Sequence, residues 1–318
     1  MEFFRFRPDK EAQKRAEERK ALELRAEKVL KKIDFDTLGA VFAEERERAG
    51  LGRAATNLQK RDRIKLRPIK GKENGMAYIA YYAMFPNKIV ADVERIMRYR
   101  PEENFENAFL SIICHEETHS VSTNPSEHSG LSPLLHILSG KYTSKTGVEY
   151  ITSEGDDFFH MLNEAVTDRF AEEVYDEYLK RTGDRASITN SDETQWFLQS
   201  YLNERNILQA FISALSRTTA VPEDVVWSSI KQSYLSNTDL AGSELVKLYE
   251  EVVGRNIAEI IKNPTKSHGV SRNAIRELKE INATDVDVFS QNVVHSIETM
   301  DWSGELKERA ASAVGGQK

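Results

Sequence analysis

Apolar positions recur at helical spacing at both ends of the chain, and a mixed pattern fills the middle. Leu22, Ala26, Val29, Leu30 and Ile33 repeat every three or four residues within a stretch rich in Ala, Glu, Lys and Arg, which predicts a long charged helix over residues 9–32. A second helix is predicted over 35–48, stopped near Gly50 and Gly52. The basic stretch 60–75 is interrupted by Pro68 and Gly71 and predicts a linker or an exposed strand edge. Residues 76–92 are dense in Tyr, Ile, Val and Phe with a break at Pro86 and Asn87, the pattern of two strands in a small sheet.

Helical spacing returns from Glu102 or Asn104 through Ala108, Leu110, Ile112 and Ile113 to Val121, closed by Pro125. Residues 140–157 predict a hairpin or ordered loop, with Lys145, Thr146 and Gly147 separating two short runs. A strong helix follows over 158–180, ending at Thr182 and Gly183. Beyond Asp192 the pattern is almost wholly helical, with breaks near Val221-Pro222, Gly242, Gly254, Asn263-Pro264 and Gly269. The expected fold class is α+β, mostly helical. The expected organisation is an N-terminal helical segment (1–60), a core (61–190) and a helical C-terminal lobe (191–318).

Composition narrows the function classes. The 318 residues are 40% hydrophobic and 30% charged, enough for a large core. A net charge of -7 argues against nucleic acid as a partner despite the basic patch at 60–72. The single cysteine, Cys114, cannot form an internal disulfide, and the first residues lack an apolar signal-peptide region, so a cytoplasmic setting is expected. No apolar run approaches the roughly 18 residues needed to span a bilayer. The aromatic residues Phe3, Phe4 and Phe6 are expected to dock on the protein itself.

Candidate chemistry concentrates in "SIICHEETHSV", residues 111–121, which reads H-E-x-x-H as His115, Glu116, Glu117, Thr118 and His119. On a helix, residues four apart project from adjacent turns of one face, so the two imidazoles can share one ion. Neutral imidazole suits zinc, and the glutamate after the first histidine can act as a general base on water. An ordinary amphipathic helix that carries two histidines is the plain alternative. A catalytic zinc takes three protein ligands. The extended H-E-x-x-H-x-x-G-x-x-H form is excluded by Ser122 and Pro125. A candidate third ligand is Glu164 in "HMLNEAVTDRFAEEV", with Asp168 one turn further along the same face; His128, just after the motif, is another.

The pair "HEETH" and "NEAVTD", the second placing Glu164 45 residues after His119, resembles the gluzincin group of zinc metallopeptidases, the thermolysin-like arrangement. The resemblance covers about residues 76–215 and rests on these two short segments. It implies one zinc ion per chain held by His115, His119 and Glu164, with Glu116 as general base. It also implies that Asp168 orients a ligand imidazole by accepting a hydrogen bond. In fold it implies a zincin-like catalytic core: a small sheet above an active-site helix, an edge strand for peptide substrate, a second ligand helix, and a helical lobe lining the other side of the cleft.

A peptidase also needs a donor to the oxyanion of its transition state. Tyr201 is the first candidate and His160 the second, ahead of Tyr142 and Tyr150. Cys114 points about 100 degrees from its neighbour His115 and reads as a small core residue. Trp196, Trp227 and Trp302 read as core anchors, and Glu154, Asp156 and Asp157 as a solvated loop. The expected function is therefore a zinc-dependent peptidase acting on peptide or protein substrates. A scaffold of the same kind without peptidase activity, serving as a protein-binding or regulatory module, is the alternative.

Overall fold

A computed structural model describes residues 10–51, 61–69, 79–83, 87–99, 105–122, 144–147, 149–151, 157–158, 160–183, 201–219 and 221–236. They form seven helices and two three-stranded sheets, an α+β arrangement that is mostly helical. Two compact units divide them. The first takes its described residues from 10–41, 61–120 and 171–183, the second from 42–51, 121–170 and 201–236.

In the first unit, α1 (Lys10–Lys32) buries Ala26, Val29 and Leu30, with acidic Glu11 in its first turn and Lys31 and Lys32 in its last, as the helix dipole favours. Arg25 on α1 grips Glu106 through its Nε and Nη2, each at 2.9 Å, and lies over the Phe105 ring, so α1 is docked by specific contacts as well as by its apolar stripe. Next, α2 (Phe35–Arg48), whose residues up to Val41 count with this unit and the rest with the second, is capped by Asp34, whose carboxylate accepts from the Asp36 and Thr37 amides and from the Thr37 hydroxyl. The amide and hydroxyl of Thr37 hold the Asp34 carboxyl below its ordinary pKa. Because that pKa falls on folding, the cap's contribution is present above the unfolded value and is lost as pH drops through the lowered one. Asp34→Ala should cost about 0.5–1 kcal/mol at neutral pH, the low end for an exposed cap, and nothing in strong acid; thermal melts at both pH values check this.

The sheet of this unit has the order β1-β3-β2. Its strands are β1 (Ile64–Leu66), β2 (Ala80–Ala83) and β3 (Lys88–Ala91), with β1 parallel and β2 antiparallel to β3. The two strands expected in 76–92 are present, and the basic stretch does contribute an edge strand. Asn87, at φ 56°, takes the left-handed conformation that asparagine tolerates just before β3. The basic side chains here share their groove of about 560 Å³ with acidic ones: Arg61, Lys65, Arg67 and Lys88 face Glu23 and Glu27.

A short helix, α3 (Val93–Tyr99), follows β3. Asp92 starts it by accepting from the Arg95 amide, while its other oxygen accepts from the Ile69 amide. Then comes α4 (Phe105–Ser122), which carries the histidine motif. Only Glu106 and His119 of its residues escape burial. Helix α4 is thus enclosed on all faces, as a central helix is, rather than amphipathic.

The second unit contains a small sheet of β4 (Ser144–Thr146), β5 (Glu149–Ile151) and β6 (Asp157–Phe158), antiparallel throughout. The expected hairpin is present, but Lys145 and Thr146 belong to β4, and the turn begins at Gly147, at φ 62°. Its long helix, α5 (His160–Thr182), starts two residues later than expected because Phe158 is paired in β6. Gly183, at φ 65°, ends it with its amide on the Leu179 carbonyl. The first eleven residues of α5 count with the second unit and the rest with the first.

Helices α6 (Leu202–Thr219) and α7 (Glu223–Ser236) are separated at Pro222, as expected. Their unit packs Phe42, Phe170 and Tyr234 edge to face, and Arg169 lies 4.4 Å from the centre of the Trp227 ring. Trp227 is the buried anchor expected; Trp196, Trp302, the Phe3–Phe6 aromatics and the chain beyond 236 lie outside the described residues. No described helix is long and apolar enough to cross a membrane.

Candidate metal centre

Helix α4 places His115 and His119 one turn apart, with ring centroids 5.0 Å from each other. His115 is buried and His119 partly exposed. On α5, Glu164 is buried, and the ligand atoms of His115, His119 and Glu164 all lie within 4.8 Å of one another. The structure thus brings together the three residues singled out in the sequence. Ligand atoms about 2.0–2.1 Å from a tetrahedral zinc stand roughly 3.4 Å apart, so adjustments of about an ångström in long side chains suffice. Two imidazoles and one carboxylate are a donor set that zinc accepts, and a buried carboxylate is tolerated where it is paired or coordinates a metal. The residues present therefore fit the ion.

The rest of α4 supports this arrangement in ways that bear on its chemistry. Glu116 is buried directly after His115, and Glu117 is wholly enclosed and accepts a hydrogen bond from the Ser120 hydroxyl. Thr118 bonds back to the Cys114 carbonyl at 2.8 Å, which keeps a β-branched polar residue content in a buried helix. Burial, with the Glu117 charge adding to it, drives the Cys114 thiol far above its ordinary pKa. Cys114 has no exposed surface and stands outside the clustered ligand atoms, as a small core residue does.

Helix α5 is held firmly where Glu164 emerges. Asn163 is buried beside it, and Thr167 bonds both the Asn163 carbonyl and the Tyr234 hydroxyl, each at 2.8 Å. Gly147 fits against this point so closely that a Cβ there would stand 2.4 Å from the Asn163 side-chain oxygen and 2.4 Å from the Tyr234 ring. The hairpin turn, α5 and α7 thus meet around the residue preceding Glu164.

Asp168, one turn after Glu164, has no exposed surface and accepts a hydrogen bond from Arg205 of α6 at 3.3 Å. Arg205 escaped the sequence reading. A lone arginine on a predicted helix has no spacing that marks its partner. The neighbouring Glu204 is half-buried, and burial, with the charges of Glu164 and Asp168, raises its carboxyl pKa against the opposing pull of its own amide and of His160. His160 is the first residue of α5, one turn before Glu164, and Tyr201 immediately precedes α6. The backbone of Tyr150 lies in β5; Tyr142, His128, Glu154 and Asp156 lie outside the described residues. No family model, curated protein or solved structure matches the chain.

Proposed function

We propose that the chain is a zinc-dependent metallopeptidase that hydrolyses peptide bonds with Glu116 as general base. The observation that carries this reading is the convergence of His115, His119 and Glu164, with Glu116 buried directly after His115 in α4. His115, His119 and Glu164 would hold the ion. When bound, zinc supplies Lewis acidity to a carbonyl oxygen and makes water acidic enough to ionise near neutral pH. Glu116 accepts the proton that the attacking water gives up and returns it to the amine nitrogen as the C–N bond breaks. Burial of Glu116 shields this transfer from bulk solvent.

Tyr201 and His160 are the proposed donors to the oxyanion. Support for Tyr201 comes from the pairing of α5 and α6. The contacts Asp168–Arg205 and Arg169–Gln209 advance in the same direction along both helices. Tyr201 lies one turn before Arg205, which bonds Asp168 one turn after Glu164. His160 is already on α5, at the turn before Glu164. Arg205, in turn, fixes the Asp168 carboxylate behind that ligand.

The test is metal content by elemental analysis, on wild type beside Glu164→Ala, both purified without added metal. About one zinc per wild-type chain and a marked loss in the variant are expected. A wild-type chain that holds no zinc and cannot be loaded would sink the reading. A chain that holds zinc but hydrolyses none of a diverse set of peptides would instead be a protein-binding module on the same scaffold.

A further inference from the structure

Two buried side chains far from the histidines join the two helices that carry the candidate ligands. Tyr175 on α5 donates its hydroxyl hydrogen to the side-chain oxygen of Asn107 on α4, and both residues are fully enclosed. Asn107 lies ten residues before position 117, the midpoint of His115 and His119, which is about 15 Å along a helix. Tyr175 lies eleven residues after Glu164, about 16.5 Å along the other. The two paths agree to within about one residue's rise of 1.5 Å. Helices α4 and α5 therefore run antiparallel and in one register from the Tyr175–Asn107 bond to the metal-binding residues.

We propose that this hydrogen bond is the register pin of the two ligand helices, and that Tyr175 and Asn107 are positioning residues for zinc. The inference rests on the peptidase reading of the site. Its physical basis is the difference between apolar and polar contacts. Most buried residues on the turns beside the bond, Ala108, Phe109 and Ile112 on α4 with Ala171, Val174 and Leu179 on α5, are apolar, the polar exceptions being Ser111 and the Tyr178 hydroxyl, which accepts from the Asp34 amide; apolar surfaces can slide with little directional penalty. A buried polar pair is satisfied at one offset and broken at the next, which is how single polar residues fix register between helices. A slip of one residue would carry Glu164 about 1.5 Å past the histidines. That displacement would add to the adjustment of about an ångström the ligand side chains already make, while metal–ligand distances themselves hold to a few tenths of an ångström.

The experiment compares Tyr175→Phe, which removes only the hydroxyl, with Ile96→Val, a core truncation on α3 that leaves α4 and α5 untouched in sequence. Each full-length chain is titrated with zinc against a chelator at a temperature where all are folded, and each metal-free chain is melted. Tyr175→Phe should weaken zinc binding roughly 10- to 100-fold, the cost typical of groups that orient ligands. Ile96→Val should lower the melting temperature and leave zinc affinity within about two-fold of wild type. Equal zinc affinity in Tyr175→Phe and wild type, or equal losses in both variants, would overturn the pin. If wild type itself binds no zinc, the function proposed above fails, and the pin is then decided on the metal-free chains. Crystal structures should show α5 displaced along α4 by about 1.5 Å in Tyr175→Phe, and an unshifted register would reject it. Asn107→Leu, read the same way, replaces Tyr175→Phe should that variant not fold.

Discussion

Glu116→Gln should reduce peptide hydrolysis by roughly 10²- to 10⁴-fold, the range typical of removing a positioned acid–base group, while zinc stays near one per chain. The amide is nearly isosteric with the carboxylate, so α4 keeps its packing around a side chain that is only 7% exposed. Glutamine cannot take up the proton released by water, nor return one to the leaving amine. Because Glu116 is not among the three clustered ligand atoms, its loss leaves the metal-binding group intact. Steady-state hydrolysis of a peptide library and elemental analysis of the same preparation check both halves. Undiminished turnover would reject Glu116 as the base, and a parallel loss of zinc would instead make it part of the metal-binding group.

The largest effect on folding is expected at Gly147. Its φ of 62° already disfavours any side chain, and the space a Cβ would need is taken by the Asn163 side-chain oxygen and the Tyr234 ring. Neither obstacle can give way cheaply. Asn163 is buried in α5, and the Tyr234 hydroxyl is held by Thr167. Gly147→Ala should therefore cost roughly 2–5 kcal/mol, combining backbone strain with overpacking. The damage should reach the metal-binding group, because Asn163 directly precedes Glu164. Urea unfolding should show a lower midpoint, and zinc affinity of the folded fraction should fall with it. A midpoint within experimental error of wild type would mean that the turn can re-form around a methyl group.

What was legible in the sequence follows from how local the signals are. His115 and His119 share a face through helix geometry alone, so their pairing needs no tertiary information. The strands at 80–83 and 88–91 and the break at Pro222 announce themselves through β-rich composition and proline. Glu164 was legible as one candidate third ligand from its place on a second predicted helix, and the resemblance of its segment to a known arrangement singled it out. The enclosure of α4 was not, since polar residues such as Asn107, Ser111 and Thr118 are buried by elements distant in the chain. The seven-residue α3 is too short to display a period. The start of α5 moved because Phe158 is claimed by a strand, a choice made by pairing with Tyr150 rather than by propensity. Arg205 and the Tyr175–Asn107 bond belong to the same class, being contacts between single residues 37 and 68 positions apart.

The enclosure of α4 also bears on how fast its peptide groups meet deuterium. A helix with nearly every residue buried exposes its amides only in the rarest openings of the chain, whereas the N-terminal half of α1 frays readily. Exchange along residues 111–119 should thus report the full unfolding equilibrium. Zinc binding through the partly exposed His119 should slow these amides by stabilising the whole fold and leave their rank order along the chain unchanged.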